Sequence, residues 1–209
     1  KLSNFGQHFI IALDGIEISL EDQERLKTLK PLGVFVDGDN FAHDLPYLEW
    51  LELFKNLINN CKELTERENL IVAIDHEGGR VHRTPPPLTK FPYAYDYIND
   101  VEHVADTVSK ELKSIGINLL FGPVADIHSN PANPVIGKRS FSDNPEKVTE
   151  ACLKYIQACR KNNLLCSPKH FPGHGDTQQD SHYELPVVNI DLETLQKREL
   201  YPFKNLSQD

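Results

Sequence analysis

The sequence predicts an α/β fold of the TIM type, a (β/α)8 barrel of which about five β/α units are present. Three observations carry this. A short apolar run ending in a polar residue, followed by an amphipathic stretch, recurs five times along the chain. The runs are nearly continuous in apolar residues, as strands covered on both faces of a parallel sheet are. The Gly-x-Gly-x-x-Gly turn of dinucleotide-binding sheets is missing after the first run, and the polar residues collect at strand ends, where a barrel builds its site.

The strands are expected at residues 8–13, 33–36, 70–74, 117–121 and 164–166. The first three end in Asp14, Asp37 and Asp75; the last two lead to Asp126 and Lys169. Ser19 is placed to cap a helix reaching about Lys30. Asp44 is expected to open a long helix ending near Arg67, and a third runs from about Asp100 to Ser114 and stops at Gly116. Asn144-Pro145-Glu146 combines an N-cap, a proline at the first helical position and an acid beside the positive helix end, for a helix to about Asn162. Asp191 caps the last helix, which Pro202 is expected to break or kink. The whole of 1–209 reads as one barrel domain cut short on its C-terminal side, with long apolar edges on its first and fifth strands.

Composition narrows the function classes. At 39% hydrophobic and 25% charged residues, the chain is an ordinary globular sequence. A net charge of −9 argues against nucleic acid as a partner. No apolar run approaches the roughly 20 residues that cross a bilayer, so no membrane association is expected. Cys61, Cys152, Cys159 and Cys166 form no Cys-x-x-Cys pair. They read as buried reduced thiols, which suits a cytoplasmic location.

Chemistry concentrates in the run from Lys169 to His182, which holds three of the nine histidines. Pro172, Gly173 and Gly175 keep its first half out of a regular helix, so titratable side chains stand on a loop. Asp180 and His182, two apart, face one side in extended backbone; the acid can then fix the imidazole tautomer and leave the other nitrogen free to move a proton. A solvated surface pair is the bland alternative. Lys169 and His170, at a strand end, can donate to the hydroxyls of a polar ligand, or else be a snorkelling lysine beside a packed histidine. His174 and Asp176 read as loop structure. Asp75 closes a buried strand before Gly78-Gly79 and the arginines Arg80 and Arg83, and can accept two sugar hydroxyls or form a structural Asp-Arg pair. Arg139 stands in a loop before a capped helix. The histidines and acids of the run match no His-Glu-x-x-His spacing, so no metal site and no cofactor are expected.

Four segments in order resemble the family 3 glycoside hydrolases, specifically the bacterial β-N-acetylglucosaminidases of cell-wall recycling. They are Ile74-Asp75-His76-Glu77-Gly78-Gly79-Arg80-Val81, Gly122-Pro123-Val124-Ala125-Asp126-Ile127, Arg139-Ser140-Phe141-Ser142-Asp143-Asn144-Pro145 and the run from Lys169 to His182. The resemblance implies a retaining hydrolase that releases terminal β-linked N-acetylglucosamine from peptidoglycan-derived fragments such as muropeptides. It implies that Asp75, Arg83, Arg139, Lys169 and His170 hold the sugar. It implies that His182, partnered by Asp180, is the general acid/base where most retaining glycosidases use a carboxylic acid. The family's nucleophilic aspartate lies after a later strand. Here only Asp191, which reads as a helix cap, and the terminal Asp209 follow the run, so the nucleophile is expected beyond Asp209. A phosphorylase on the same scaffold and an inactive sugar-binding fragment are the alternatives. The oligomeric state is not legible.

Overall fold

The computed structural model describes residues 5–178, 185 and 187–207. Five strands, β1 (Ile10–Ala12), β2 (Gly33–Val36), β3 (Ile71–Ile74), β4 (Leu119–Leu120) and β5 (Leu165–Cys166), form one sheet in the order β1-β2-β3-β4-β5. Every pairing is parallel. A doubly wound sheet reverses its strand order at a switch point; this sheet advances strictly in chain order, as a TIM-type barrel wall does.

Register explains which residues face where. Val34 pairs with Val72 and Val36 with Ile74; these and Leu120 are at most 1% exposed and lie on one face. Phe35, Ala73, Leu119 and Leu165 lie on the other face, because side chains alternate along a strand and neighbouring strands keep register. The helices cover the first face. The second is the face a barrel turns inward, and it is open at both sides: Ala12 on β1 is exposed and Leu165 on β5 is 58% exposed. Asp75, two residues after Ala73, continues along this inner face to the C-terminal mouth of the sheet.

The helices are α1 (Leu20–Leu29), α2 (Tyr47–Thr65), α3 (Val101–Ser114), α4 (Pro145–Lys161), α5 (Leu192–Lys197) and α6 (Tyr201–Leu206). The expected caps at Ser19, Asn144 and Asp191 are in place, each side chain accepting from the backbone N–H three residues on. The third helix has the expected bounds, with a 3-10 stretch, Ala94–Asp100, before it. Two expectations need correction. The second helix starts at Tyr47 behind Pro46, with no side-chain cap, so Asp44 does not open it. The last helix breaks before Pro202: α5 ends at Lys197, and Pro202 sits in the first turn of α6, where its missing N–H costs no helical hydrogen bond.

The edge strands are also shorter than expected. β1 has three residues and β5 two, because only those positions meet a neighbour in register. Among the described residues neither strand has a partner on its outer side. Cys61, Cys152 and Cys159 are buried free thiols and Cys166 is half-buried. Burial, helped by the charge of Asp22, pushes the Cys61 thiol up to about 12, so it stays protonated at neutral pH. Among the described residues no helix is long and apolar enough to cross a membrane.

Candidate active site at the strand ends

The segments that follow β3, β4 and β5 meet at the C-terminal mouth of the sheet. After β3, the chain turns sharply at Gly78, whose φ of +94° suits glycine and where a side chain would meet the Pro92 carbonyl at 2.3 Å. This turn returns Glu77 and Arg80 over the sheet. After β4, Val124 bridges to Lys169 in parallel register, so the pairing of β4 with β5 resumes beyond the strands proper. Asp126 is thereby buried below the loop, at 0% exposure.

Glu77 is the hub. Arg139 grips it bidentately, Nε to Oε2 and Nη2 to Oε1, both at 2.8 Å. Lys169 Nζ approaches the same Oε1 at 2.7 Å and also pairs with Asp75 Oδ1. The Glu77 side chain is 6% exposed. Burial pushes its carboxyl up, but the hydrogen bonds and charges of Arg139 and Lys169 outweigh this and hold it at about 2. Lys169, 15% exposed, is thus pinned between two carboxylates and does not snorkel to solvent. Asp75 pairs with this lysine and not with an arginine, so the alternative of a structural Asp-Arg pair is not what forms.

Asp126 organises the next layer. Its Oδ2 takes the His170 Nδ1–H at 2.5 Å and the His170 backbone N–H at 3.2 Å, and Oδ1 takes the His174 backbone N–H at 2.7 Å. A carboxylate can only accept, so Nδ1 of His170 carries the proton. The guanidinium of Arg139 can only donate, so Nε2 receives its Nη2–H at 3.3 Å. His170 therefore links Asp126 to Arg139. His174 Nδ1 lies 2.7 Å from the Thr177 hydroxyl, and the Asn133 amide donates to the carbonyls of His174 and Thr177. Asp176 pairs with Arg198 at 2.6 Å, so it ties the loop to the end of α5.

Arg83 turns elsewhere. Its Nε lies 2.8 Å from Asp37 Oδ1 at the end of β2, close but not aligned as a hydrogen bond. Its backbone N–H donates to Nδ1 of His76 at 3.3 Å. Burial, with the nearby His82 and Arg83, lowers His76 to about 3 against a small opposing effect of Glu77, so this ring is neutral.

These groups enclose a cavity of about 610 Å³, lined by Asp75, Glu77, Arg83, Arg139, Lys169 and His170 together with Arg80, Phe121 and His174. All five residues expected to hold a sugar border it. Asp180 and His182 lie outside the described residues, as does Asp209. Asp191 caps α5 and is away from any such cluster. A larger cavity of about 750 Å³, lined by Pro168, Phe171 and residues in and beside α5 and α6, is mostly apolar, with Gln196, Lys204 and Ser207 as its polar members. Among the described residues no group of three or more His, Cys, Asp or Glu side chains could hold a metal ion.

Sequence reasoning assigned no role to Glu77 or Asp126. Glu77 was signalled by its place two residues after Asp75, on the same side of the chain and just before the glycine turn. Asp126 was signalled by an acid directly after the apolar Val124-Ala125.

Residues 10–209 match the family model described as Glycosyl hydrolase family 3 N terminal domain. A β-hexosaminidase of Methylococcus capsulatus is 36% identical over 205 residues, covering 94% of this chain and 58% of that one. A family 3 β-N-acetylglucosaminidase from Paenibacillus sp. superposes with a TM-score of 0.88 at 29% identity, over 99% of this chain and 40% of that one. NagZ from Neisseria gonorrhoeae, solved in complex with N-trifluoroacetyl-D-glucosamine, superposes with a TM-score of 0.81 at 31% identity, over 95% and 60%. The chain therefore spans roughly half the length of these proteins.

Proposed function

The chain belongs to the glycosyl hydrolase family 3 N-terminal domains, and on that premise we propose that it forms the sugar-binding and proton-transfer part of a retaining β-hexosaminidase. The reaction releases terminal β-linked N-acetylglucosamine from peptidoglycan-derived fragments. Its partners are carbohydrates, and no cofactor enters the chemistry.

The observation that carries this reading is the Asp75–Lys169–Glu77–Arg139 chain of charges at the cavity floor. Adjacent sugar hydroxyls need an acceptor and donors held at fixed distance. Asp75 uses Oδ1 on Lys169 and keeps Oδ2 for a hydroxyl; Lys169 keeps its third N–H. Arg83 supplies further donors at the wall, while Arg139 and His170 set the floor. The named ligand of the Neisseria structure, an N-acylated glucosamine, fits such a site in kind.

In the proposed reaction a carboxylate attacks the anomeric carbon and the bond to the leaving oxygen breaks. His182, fixed by Asp180, protonates that oxygen. Water then attacks the glycosyl-enzyme, giving its proton to His182 and restoring the carboxylate. A histidine in the acid/base place avoids setting a second carboxylate beside the nucleophile, where like charges disturb each other's ionisation.

The test is leaving-group dependence in the full-length protein. His182→Ala should slow hydrolysis of poor leaving groups at least ~100-fold and spare a dinitrophenyl glycoside, which needs no proton, since a general acid contributes about 10²–10⁴-fold. Equal loss on both substrates would contradict the assignment.

A further inference from the structure

A buried carboxylate backs the loop after β5 from outside the cavity. Glu199, between α5 and α6, is 1% exposed. Its Oε1 accepts from the Ser129 hydroxyl at 2.9 Å, on the segment after β4, and from Arg198 Nε at 2.7 Å. Arg198 Nη2 in turn donates to Asp176 Oδ2 at 2.6 Å, on the loop after β5. Neither Arg198 nor Glu199 borders the cavity. Burial pushes the Glu199 carboxyl up, against the opposing pull of Ser129 and Arg198, so the group is costly to keep where it is. A well-packed apolar residue in such a place is often no less stable, so stability alone does not account for it.

The loop is fitted to this carboxylate. Gly173 has a φ of +128°, and a Cβ there would lie 2.7 Å from Glu199 Cβ and 3.1 Å from its Oε2. The Gly173 N–H donates to the His170 carbonyl at 2.8 Å, closing the turn that begins at His170. The ring of His170 is the one that Asp126 orients and Arg139 contacts. At Gly175 a Cβ would lie 1.6 Å from the Ile127 carbonyl, so the loop also presses on the segment after β4. Glu199 therefore packs on the turn that carries His170 and grips, through Ser129, the segment that carries Asp126. It sets the spacing of the two segments that meet in the His170–Asp126 pair.

We propose that Glu199 is a positioning residue for the sugar site: through Ser129, Arg198 and the Gly173 turn, it fixes where His170 stands against Asp126 and Arg139. It touches no sugar itself. The inference rests on the glycosidase reading above and adds to it a residue outside the cavity on which the geometry of the floor depends. Groups that hold a binding site matter at the scale of about 1 Å, a displacement that costs on the order of 10²-fold in rate.

The full-length protein on a nitrophenyl β-N-acetylglucosaminide, with N-acetylglucosamine as competitive inhibitor, tests this. Glu199→Ala should cut kcat/KM about 30-fold or more and raise the inhibition constant of N-acetylglucosamine about 10-fold, both read well below its melting temperature. Ser19→Ala removes the cap of α1, far from the loop in the chain; it should lower stability and leave both constants within about 2-fold. Glu199→Gln keeps an acceptor for Ser129 and Arg198 and should return both constants to within about 3-fold of wild type. A folded Glu199→Ala protein with both constants within about 2-fold of wild type would overturn the proposal and leave the glycosidase reading intact. So would a fall in activity that follows only the folded fraction, with the inhibition constant unchanged. If Glu199→Ala does not fold, Arg198→Gln carries the test. That side chain is 30% exposed, and its loss removes the guanidinium that joins Asp176 to Glu199. It should cut kcat/KM about 3–10-fold with a raised inhibition constant, and unchanged constants would overturn the proposal. A wild-type protein that cleaves no such substrate would instead sink the glycosidase reading.

Discussion

Glu77 and Arg139 stand 62 positions apart in the chain and meet through two hydrogen bonds of 2.8 Å each. Both side chains are nearly buried, at 6% and 9% exposure. The pair joins the segment after β3 to the segment before α4, and Lys169 joins both to the segment after β5. Three strand ends thus share one carboxylate.

Removing that carboxylate should leave two cations facing each other without compensation. Glu77→Ala is expected to destabilise the protein by about 3–5 kcal/mol, the cost of breaking a buried pair from one side. Urea unfolding of the full-length protein measures this. A change under about 1 kcal/mol would mean that water, and not Glu77, solvates Arg139 and Lys169.

The same carboxylate predicts an acid limb. Its folded value of about 2 lies below the unfolded one, so the unfolded chain binds the proton first as pH falls. The stabilisation is complete above about pH 4.5 and is lost as pH falls toward 2; it is on the order of 3 kcal/mol. In Glu77→Gln this limb should be missing from the difference in stability between pH 5 and 2.

His76 acts in a higher window. Burial keeps it neutral down to about 3, whereas an unfolded histidine takes a proton near 6.5. Stability should therefore fall as pH drops through 6.5, by about 2 kcal/mol at pH 5 from this ring alone. His76→Gln retains an acceptor for the Arg83 N–H and should flatten the profile between pH 7 and 5. Parallel profiles for the two proteins would show that His76 is protonated in the folded state.

Much of the fold was readable because its signals are local. Ser19, Asn144 and Asp191 cap helices within three residues of themselves, and the apolar runs marked every strand to within a few positions. Asp44 misled because a capping residue is a local signal too, and Pro46 with Tyr47 displaced the helix start by a few residues. The site was readable as a set of residues and not as a set of contacts. Asp75, Arg83, Arg139, Lys169 and His170 do converge, but their partners are long-range. Glu77 with Arg139, Asp126 with His170 and Asp37 with Arg83 each join different β/α units. Spacing along the chain carries no trace of such pairs, so the hub of the cavity passed as an unremarked acid in a turn.

Asp126 shows how much rests on those unseen partners. It is fully buried and receives two backbone N–H groups and the His170 ring. Asp126→Asn places an NH2 group opposite at least one of these donors. It should lower kcat/KM about 10²-fold through misplacement of His170 and Arg139, as disturbed positioning does. It should also destabilise the fold by about 1–3 kcal/mol for a donor left unpaired. Kinetics and urea unfolding on the full-length protein read the two effects, and activity within 3-fold of wild type would remove Asp126 from the positioning of the site.

The central claim is that the Asp75–Lys169 pair at the cavity floor holds the terminal sugar. The most direct measurement is kcat/KM of the full-length protein on a chromogenic β-N-acetylglucosaminide, wild type against Asp75→Ala, with folding checked by circular dichroism. Loss of the charge-assisted hydrogen bond from Oδ2 to a hydroxyl predicts a drop of at least ~10-fold with the fold retained. A folded Asp75→Ala protein that keeps more than about a third of wild-type kcat/KM would contradict the account, because among the described residues no other group in the cavity offers a sugar a free carboxylate oxygen beside a lysine.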